Sequence, residues 1–565
     1  MTHFRMRALF SVFAIFAVLA FAVACGDDDD DDDGGATPGG QTPGATATEG
    51  DAAPSGTITA HSMQFEEWDP HFSDFSQDIN HFFKVWRGLY EFDLDQKPVP
   101  SMADGEPQVS ADGKVYTVKL QPDLKWSDGE PLEAEDFVLG IQRTCNPDIA
   151  GHYQYLLTAI AGCDDYAGGT GTIEDLGVRA VDATTVEITL HTAQPTFPIL
   201  LAMWPTFPVP KHLVASVDAA WPGPLENVYN GPFMPTAYTE NDSMELVPNP
   251  NWAGTVKPKV EKIVLRYIDD SSVANNAYRS GELDVAVANT TQLDVLRSEF
   301  PDELISYPST ATLGLEYQMS KPIWAKTEVR LALSQATDRK TLNDVILQGA
   351  NQPTTAWMAP DRSGVPEGTY DSVTGFNVEK AKENLAKAGY PNGQGFPGFT
   401  LLLTDSASNK AVGEFLQQEW KKHLGIDITL EFVDSKTRSA RFNAKDYELV
   451  IGGWGEDYPD PENWMIGLWE TDGSINKTST SVKEIDDLIA KAKFNTNDEE
   501  RRQLYRDAEK ILIEGVYGIA PLYHRANHFL VKPYIKGMRE NATPNDSVTG
   551  GQPAGWNPEF WSTEQ

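Results

Sequence analysis

Residues 400–432 limit the folds that are open to this chain of 565 residues. Thr400 to Leu403 is a short apolar run typical of a strand, and Lys410 to Leu424 has the spacing of an amphipathic helix. Ile426 to Phe432 again has the pattern of a strand. A strand, a helix and a second strand in this order form a parallel pair with the helix packed over it. The sequence therefore predicts an α/β fold in this half.

Similar patterns predict further elements along the chain. They are strands at 57–60, 115–120, 186–190 and 519–523, and helices at 482–493, at 498–514 and from a cap at Asn377 to Gly389. Residues 98–230 are rich in turns and predict a mixed, β-rich subdomain. A folded body of roughly 500 residues is too long for a single hydrophobic core. We therefore expect two or three lobes.

The N-terminus has the pattern of an export signal. Arg5 and Arg7 precede an apolar run, residues 8–24, that ends in small residues before Cys25. This arrangement resembles a bacterial lipoprotein signal, which implies that 1–24 is removed and that Cys25 is lipidated and becomes the mature N-terminus. The alternatives are an ordinary signal peptide or an uncleaved anchor, because 17 residues are at the lower limit for crossing a bilayer. In every case the body is expected outside the cytoplasmic membrane.

Residues 25–56 are expected to form a disordered tether. Seven aspartates, Asp27 to Asp33, are followed by Gly, Thr, Ala and Pro, with no aromatic residue. Such a segment cannot bury apolar surface, and its charges repel one another. A metal-binding acidic run is the alternative, but the segment has no fixed geometry that would hold an ion.

The net charge and the number of cysteines limit the classes of binding partner and the cellular compartment of the protein. The formal net charge is −38, which argues against nucleic acid and against wide contact with anionic lipid. With Cys25 on a lipid, Cys145 and Cys163 remain as a pair, and an exported chain permits a disulfide between them. Two free thiols are the alternative.

The sequence offers no catalytic signature. It has no Gly-x-Ser-x-Gly elbow, no His-Glu-x-x-His and no phosphate loop. His524 and His528 lie four residues apart in a segment that looks extended, so a surface or interface role is favoured over a metal pair. We therefore predict no catalytic residue, no metal and no cofactor.

The most unusual local cluster is the run from Gly452 to Pro461, Gly-Gly-Trp-Gly-Glu-Asp-Tyr-Pro-Asp-Pro, after an apparent strand at 448–451. Glycines at a strand end allow a ligand to come close, and Trp454 offers an aromatic wall. Asp457 has no basic neighbour in sequence and would need a cationic partner if desolvated. The alternative is a packed turn in which Trp454 belongs to the core and Asp457 caps a helix.

Six segments match one protein family in order and spacing. They are Trp68-Asp69-Pro70, Leu89-Tyr90-Glu91-Phe92, Lys125-Trp126-Ser127-Asp128-Gly129-Glu130-Pro131, Asn230-Gly231-Pro232-Phe233, Glu328-Val329-Arg330-Leu331-Ala332-Leu333 and Gly453-Trp454-Gly455-Glu456-Asp457-Tyr458. With them the chain resembles the extracellular solute-binding proteins of the peptide/nickel family of ABC importers, of the oligopeptide- and dipeptide-binding type. The match runs from about residue 57 to about 535.

The resemblance implies an α/β fold of two lobes, the type II, cluster C periplasmic-binding-protein architecture, with an extra subdomain in lobe one. Lobe one would comprise 57–312 and 520–565, with the inserted subdomain at about 98–230, and lobe two would be 313–519. Lobes of this type close like a hinge over a ligand.

The resemblance also implies a binding site. In peptide-binding members the aspartate of Trp-x-x-Asp-Tyr pairs with the α-ammonium of the ligand, and that position is Asp457 here. Trp454, with Gly453 and Tyr458 beside it, would line the cleft. Asp74 and Phe75 would approach from lobe one.

One basic position of the family is missing. Some oligopeptide binders carry an arginine six residues before the aspartate, where this chain has Ile451. Arg441 and Arg438 lie close to another expected basic position, and Arg441 is kept as a candidate.

The sequence therefore predicts a monomeric, lipid-anchored receptor, not an enzyme, that captures peptides and delivers them to an ABC permease. The first alternative keeps the fold and binds an oligosaccharide, a nickel chelate or haem. The second is a secreted hydrolase that works with two carboxylates.

Overall fold

The computed structural model describes residues 53–94, 96–539 and 557–564. Cys25, the predicted signal and nearly all of the predicted tether lie outside the described residues. Within the described residues, no helix is both long enough and apolar enough to cross a membrane.

Nineteen strands occur in the described residues. They are β1 (Thr57–Ser62), β2 (Tyr90–Phe92), β3 (Pro98–Pro100), β4 (Gln108–Val109), β5 (Val115–Lys119), β6 (Val178–Asp182), β7 (Thr185–Thr189), β8 (Phe233–Thr239), β9 (Ser243–Pro248), β10 (Lys262–Tyr267), β11 (Val285–Val287), β12 (Leu304–Tyr317), β13 (Gln352–Pro353), β14 (Thr400–Thr404), β15 (Thr429–Val433), β16 (Leu449–Gly455), β17 (Ile519–Val531), β18 (Ile535–Lys536) and β19 (Ser562–Thr563).

The α-helices of the same residues are α1 (Ser76–Val85), α2 (Ala134–Thr144), α3 (Cys163–Ala167), α4 (Phe197–Leu200), α5 (Ser271–Ser280), α6 (Leu293–Glu299), α7 (Thr327–Gln335), α8 (Arg339–Thr341), α9 (Pro360–Ser363), α10 (Asp371–Thr374), α11 (Val378–Lys387), α12 (Ala407–Leu424), α13 (Ser435–Asn443), α14 (Lys483–Lys493) and α15 (Asp498–Glu514).

The predicted strand–helix–strand unit is confirmed. Strands β14 and β15 pair in parallel, and α12 connects them. Ser406 caps this helix, and Gly425 ends it with a left-handed backbone. The apolar face of α12 is buried in the core below the sheet through Val412, Leu416 and Trp420. The helix predicted from apolar spacing is therefore also the helix whose apolar face packs in the core.

One large sheet runs through both halves of the molecule, with strand order β15-β14-β16-β12-β17-β11-β1-β10-β9-β8, and β13 pairs with β17 beside this path. The two longest strands, β12 and β17, lie side by side and antiparallel at its centre. On its other side β12 pairs with β16, and on its other side β17 pairs with β11. They are the segments that cross between the lobes.

We keep the division that the sequence proposed, with residues 57–312 and those from 520 onward as lobe one, and 313–519 as lobe two. One core is formed almost entirely by lobe one, around Trp86, Trp126 and Trp204. Lobe two contributes most of a second core, around Trp324 and Trp420. The second core also includes Ala274, Tyr278 and Leu293, which this division assigns to lobe one, so the bounds of the lobes stay a prediction.

The inserted subdomain contains a four-stranded antiparallel sheet of order β4-β5-β7-β6. Beside it, a disulfide joins Cys145, at the end of α2, to Cys163, the first residue of α3. The two residues are 18 positions apart, so closure of this loop is worth about 3 kcal/mol in the loop-entropy model.

Candidate ligand-binding site

Two adjoining cavities lie between the lobes. The larger chamber has a volume of about 550 Å³ and the smaller chamber about 270 Å³, and they share Asp74, Phe75, Gly453 and Trp454. Other residues of the larger chamber are Ser76, Gln77, Ile79, Tyr153, Ser309, Ala311, Leu313, Arg438, Ile451, Gly452, Gly455, Glu456, Asp457 and Arg525. Those of the smaller chamber are Glu316, Trp357, Ser439, Phe442, Asn443, Leu468, Trp469, Ile475, Lys477 and Thr478. The cleft is therefore built from both lobes and from both crossing strands.

The glycines of the unusual cluster lie inside a strand. We expected the strand to end at Ile451, but β16 continues to Gly455 and pairs with β12 over this length. A Cβ atom on Gly453 would lie only 1.9 Å from the carbonyl oxygen of Thr312. The missing side chain thus lets the two backbones approach, and the loop begins only after Gly455.

Asp457 lies at the start of that loop and is buried, with only 8% of its surface exposed. The hydroxyl of Tyr153 donates to its Oδ1 at 3.1 Å, and Nδ2 of Asn463 donates to its Oδ2 at 3.2 Å. Burial raises the pKa of Asp457 to about 7, against the effect of these two hydrogen bonds. No ion pair among the described residues includes Asp457.

Neighbouring acids in this segment have cations of their own. Glu456 is 2.6 Å from Nε of Arg362, and Asp460 accepts two hydrogen bonds of 2.6 Å from Arg501. Asp460 also caps the short 3₁₀ helix that begins at Pro461, so the cap is not Asp457 as the alternative interpretation had it. Asp457 therefore differs from both, because it pairs with no cation among the described residues.

Asn463 holds the loop in this conformation. Its Oδ1 accepts from the backbone N–H of Asp457 at 2.8 Å and from Nε1 of Trp454 at 3.0 Å. With the bond from its Nδ2, one side chain thus fixes both the aromatic wall and the acid. A preorganised carboxylate loses little freedom when a ligand binds.

Lobe one faces this loop with residues from two segments. Asp74 and Phe75 immediately precede α1, and 38% of the Phe75 surface is exposed. Tyr153 comes from the inserted subdomain, where its ring packs edge-on against Trp204 at 4.6 Å. Its hydrogen bond to Asp457 joins residues 304 positions apart and connects the two lobes.

A second contact between the lobes lies beside the cleft. Glu462 of lobe two is fully buried, and its Oε1 accepts from Nε2 of Gln194 at 3.0 Å and from Oγ1 of Thr196 at 2.9 Å. Burial raises the pKa of Glu462 to about 7. These bonds hold the lobes in contact around the cleft.

The structure brings five of the seven predicted binding residues to the cleft, namely Gly453, Trp454, Asp457, Asp74 and Phe75. Tyr458 lines neither chamber: its ring is fully buried in the core of lobe one, and its hydroxyl donates to Glu462 at 3.3 Å. Its packing in that core and its bond to Glu462 hold it away from the cavity that Asp457 faces.

Arg441 also lies outside the chamber walls. Its guanidinium pairs with Glu431 at 2.7 Å and with Asp446 at 3.2 Å, so two nearby acids draw it away. Arg438, on the same helix, lines the larger chamber instead. Its Nη2 donates to the carbonyl of Ile451 at 2.8 Å, and its guanidinium lies 4.6 Å from the ring centroid of Phe442.

His524 and His528 serve strand pairing. Nδ1 of His524 lies 2.8 Å from the hydroxyl of Thr312, and Nδ1 of His528 lies 2.7 Å from that of Ser306. No cluster of three potential metal ligands occurs in the part of the chain that the structure describes.

Sequence reasoning did not find Glu316, Tyr153, Lys477 or Arg525. Glu316 lies on β12 at the wall of the smaller chamber, and burial raises its pKa to about 7, opposed by the charge of Arg438. Its signal in the sequence is weak: it is an acid among the apolar residues Leu313, Leu315 and Tyr317, where burial of a charge is costly. The other three carry no local signal.

Comparison with known proteins adds the family. Residues 97–476 match the family model described as "Bacterial extracellular solute-binding proteins, family 5 Middle". The periplasmic oligopeptide-binding protein OppA of Escherichia coli is 30% identical over 489 residues, which cover 85% of this chain and 89% of OppA. A "probable deoxycholate-binding periplasmic protein", YgiS of the same organism, is 30% identical over 460 residues, 80% of this chain and 85% of YgiS.

The fold has a close counterpart among solved structures. The murein tripeptide-binding protein MppA of Escherichia coli superposes with a TM-score of 0.80 at 26% identity, over 91% of this chain and 99% of MppA. The unliganded open form of MppA superposes less well, with a TM-score of 0.69 at 26% identity over 90% and 98% of the two chains. The lobes described here are therefore arranged less like that open form.

Proposed function

Since this chain belongs to the bacterial extracellular solute-binding proteins of family 5, we propose that it captures peptides by their free amino terminus in the cleft between its lobes. The observation that carries the proposal is Asp457, a buried carboxylate that faces the larger chamber without a cationic partner among the described residues. A ligand ammonium supplies the missing charge and forms a charge-assisted hydrogen bond in a site largely screened from water.

The surroundings of Asp457 suit a peptide backbone. Residues of β12 and β16 form one wall of the larger chamber, so main-chain groups of both strands lie close to a bound chain. Contacts with main-chain groups do not depend on the side chains of the ligand. The smaller chamber, with Trp357, Phe442 and Trp469 in its walls, suits one apolar or amphipathic side chain.

The contacts between the lobes support a mechanism of closure. Tyr153 reaches Asp457, and Gln194 and Thr196 reach Glu462, across the cleft. A ligand that binds both walls stabilises the closed arrangement by its differential affinity for it. The closed, loaded protein then delivers its peptide to an ABC permease in the membrane. Binding and release suffice for this role, which requires no catalysis.

We further propose that the protein acts as a monomer held at the outer face of the membrane by a lipid on Cys25. This assignment rests on the sequence around Cys25 and on the acidic, Gly/Thr/Pro-rich segment behind it. Metabolic labelling with a fatty acid analogue tests it: label should enter the natural chain and be absent after Cys25→Ala.

Other ligands of the same fold lack the cation that would pair with Asp457. A bile acid such as deoxycholate is an anion, and it would meet the buried carboxylates of Asp457 and Glu316. Like charges in a desolvated site weaken binding. An oligosaccharide has no cation to offer Asp457, which would then stay buried without compensation.

The test is to release the ligand that the purified protein carries and to identify it by mass spectrometry. We expect short peptides. Calorimetry then compares alanine peptides with free and with acetylated amino termini, and we expect acetylation to weaken binding by about thirtyfold or more. A sugar or a bile acid in the released fraction, or equal affinity for both peptides, would overturn the proposal.

A further inference from the structure

One loop of the inserted subdomain is closed by the disulfide and reaches the cleft. It runs from Cys145 to Cys163, which are both fully buried, and we call it the disulfide loop. Its regular structure consists of a short 3₁₀ helix, Gln154–Leu157, and one isolated bridge between Ile160 and Leu190. Because most of its backbone has no helix or sheet to hold it, the covalent closure at its base limits the positions that the loop can take.

Two tyrosines of the disulfide loop contact lobe two. The hydroxyl of Tyr153 donates to Oδ1 of Asp457 at 3.1 Å. The ring of Tyr155 stacks on that of Tyr153, with the ring centroids 5.8 Å apart. Tyr155 also packs both against the core of lobe one and against a separate core around Trp357 and Trp464 of lobe two. A shift of this loop would therefore move the tyrosine that Asp457 meets.

The residues just before Tyr153 are held in a specific conformation. Ala150 has a φ of 52°, in the left-handed region that residues with a side chain rarely adopt. A Cβ atom on Gly151 would lie only 2.1 Å from the carbonyl oxygen of His71. Nδ1 of His152 lies 3.6 Å from the carboxylate of Asp74. A costly backbone conformation persists only where the surrounding contacts impose it, so the loop is fixed against the segment that precedes α1.

We propose that the disulfide loop is a positioning device for ligand binding: it holds the hydroxyl of Tyr153 against Asp457, and the disulfide keeps the loop in place. The inference rests on the proposed function, in which Asp457 binds the ammonium of the ligand. A hydroxyl that donates to a carboxylate favours its ionised form, and the ionised form is the one that binds a cation. Tyr153 and the two cysteines are therefore positioning residues, which act on the ligand through Asp457.

The experiment is a double-mutant cycle between the disulfide and the Tyr153 hydroxyl, measured by calorimetry with trialanine at pH 7.5. In the natural chain, replacing both Cys145 and Cys163 by Ala should weaken binding about fivefold or more, because a hydrogen bond to a charged group is loosened. Tyr153→Phe should cause a similar loss. Replacing the cysteines in the Tyr153→Phe protein should add little, since the bond is already absent. Equal losses in both backgrounds would overturn the proposal.

The pH profile of binding gives a readout that lower stability alone would not move. The bond from Tyr153 lowers the pKa of Asp457, so loosening the bond raises this pKa. As the pH falls, the cysteine variant should therefore begin to lose affinity at a higher pH than the natural chain, as Tyr153→Phe does. Glu456, the other charged group that acts on Asp457, keeps its pair with Arg362 in both variants. An unshifted profile in the cysteine variant would contradict the proposal.

Two further variants separate positioning from folding. Val118→Ala opens a cavity beside the buried face of β5 and should lower the melting temperature of the protein while peptide affinity is kept. Gly151→Ala keeps the disulfide, but its methyl group meets the carbonyl of His71, so it should displace the loop and weaken binding as the cysteine variant does. It tests the proposal even if the cysteine variant does not fold. Full affinity in Gly151→Ala, or a loss in Val118→Ala as large as that of the cysteine variant, would overturn the assignment.

The two proposals fail in different ways. If trialanine binds equally to the natural chain and to both loop variants, the disulfide loop has no positioning role, while peptide capture stands. If no peptide binds to the natural chain, or if an acetylated amino terminus is tolerated, the proposed function itself fails.

Discussion

The two chambers of the cleft differ in what they offer a ligand. The larger one presents Asp457, a buried carboxylate that pairs with no cation among the described residues, beside the backbones of β12 and β16. The smaller one is walled mainly by aromatic and aliphatic side chains, with Glu316 and Lys477 among them. In the proposed function, the first chamber recognises what every peptide has, its charged amino terminus and its main chain. The second would then recognise what distinguishes one peptide from another, the size and polarity of a side chain.

The same contrast appears between two acids three residues apart. Asp460 is buried with Arg501 beside it, and Asp457 is buried with no cation. Removing one partner of a buried ion pair leaves the other charge uncompensated, whereas removing a buried charge that has no partner relieves a cost. The first acid thus supports the fold, and the second is available to a ligand.

The largest expected effect comes from replacing Asp457 by Asn. Peptide affinity should fall by about thirtyfold or more, because the bound ammonium loses its counter-charge in a desolvated site. Thermal stability of the ligand-free protein should be unchanged or raised. Calorimetry measures the first and differential scanning fluorimetry the second.

The matched control is Asp460→Asn, which should behave in the opposite way. It removes the buried partner of Arg501, whose other ionic partner is the largely exposed Asp498, and should cost about 3 kcal/mol of stability. If the Asp457 variant binds peptides normally, or loses as much stability as the Asp460 variant, the two acids do not have the different roles assigned to them.

A smaller and selective effect is expected from Ser439→Trp, which fills the smaller chamber from α13. Peptides with Leu or Phe in that chamber should lose about tenfold in affinity, since burying such a side chain is worth about 1.5–3 kcal/mol. Trialanine should bind as before. Ser439→Ala is the control, and equal losses for all peptides would show that the chambers are not separate in function.

An effect of similar size is expected on the pH dependence of binding, and Asp457 of the larger chamber is the group that should carry it for an ammonium ligand. Because burial places the pKa of Asp457 near 7, lowering the pH from 7.5 to 6 protonates most of its carboxylate. Affinity for an ammonium ligand should fall roughly tenfold over this interval, since the protonated acid must release its proton to bind a cation. Calorimetry in buffers of matched ionic strength measures it.

Two variants sharpen that result. Asp457→Asn should bind weakly with a flat profile. Tyr153→Phe removes a hydrogen bond that favours the ionised carboxylate, so it raises the pKa of Asp457 further and should start the loss at a higher pH. A flat profile in the natural chain would show that another group titrates with the ligand.

Local patterns predicted much of the fold. The helix at 498–514 and the parallel pair of β14 and β15 follow from apolar spacing and capping residues that lie within a few positions of one another. Asn377 was expected to cap a helix, and its Oδ1 does accept from the backbone N–H of Lys380. These features depend on neighbours in sequence, which is why they could be found there.

Partners distant in sequence could not be predicted in this way. Strand β16 extends through its glycines because the backbone of β12, about 140 residues earlier, lies against it. Arg438 lies at the chamber and Arg441 does not, because Glu431 and Asp446 draw Arg441 away. Neither outcome has a signal within the local sequence.

By itself, then, the sequence determined the α/β class, most local elements and the acid in the loop after β16, because spacing, capping and a recognisable motif are properties of adjacent residues. Only the tertiary structure decided that Asp457 meets Tyr153 across the lobes and that Arg438, not Arg441, lines the larger chamber. Burial and the pairing of charges depend on segments that come together only when the chain is folded. The chemistry of the cleft is therefore a property of the fold, built on residues that the sequence shows only one at a time.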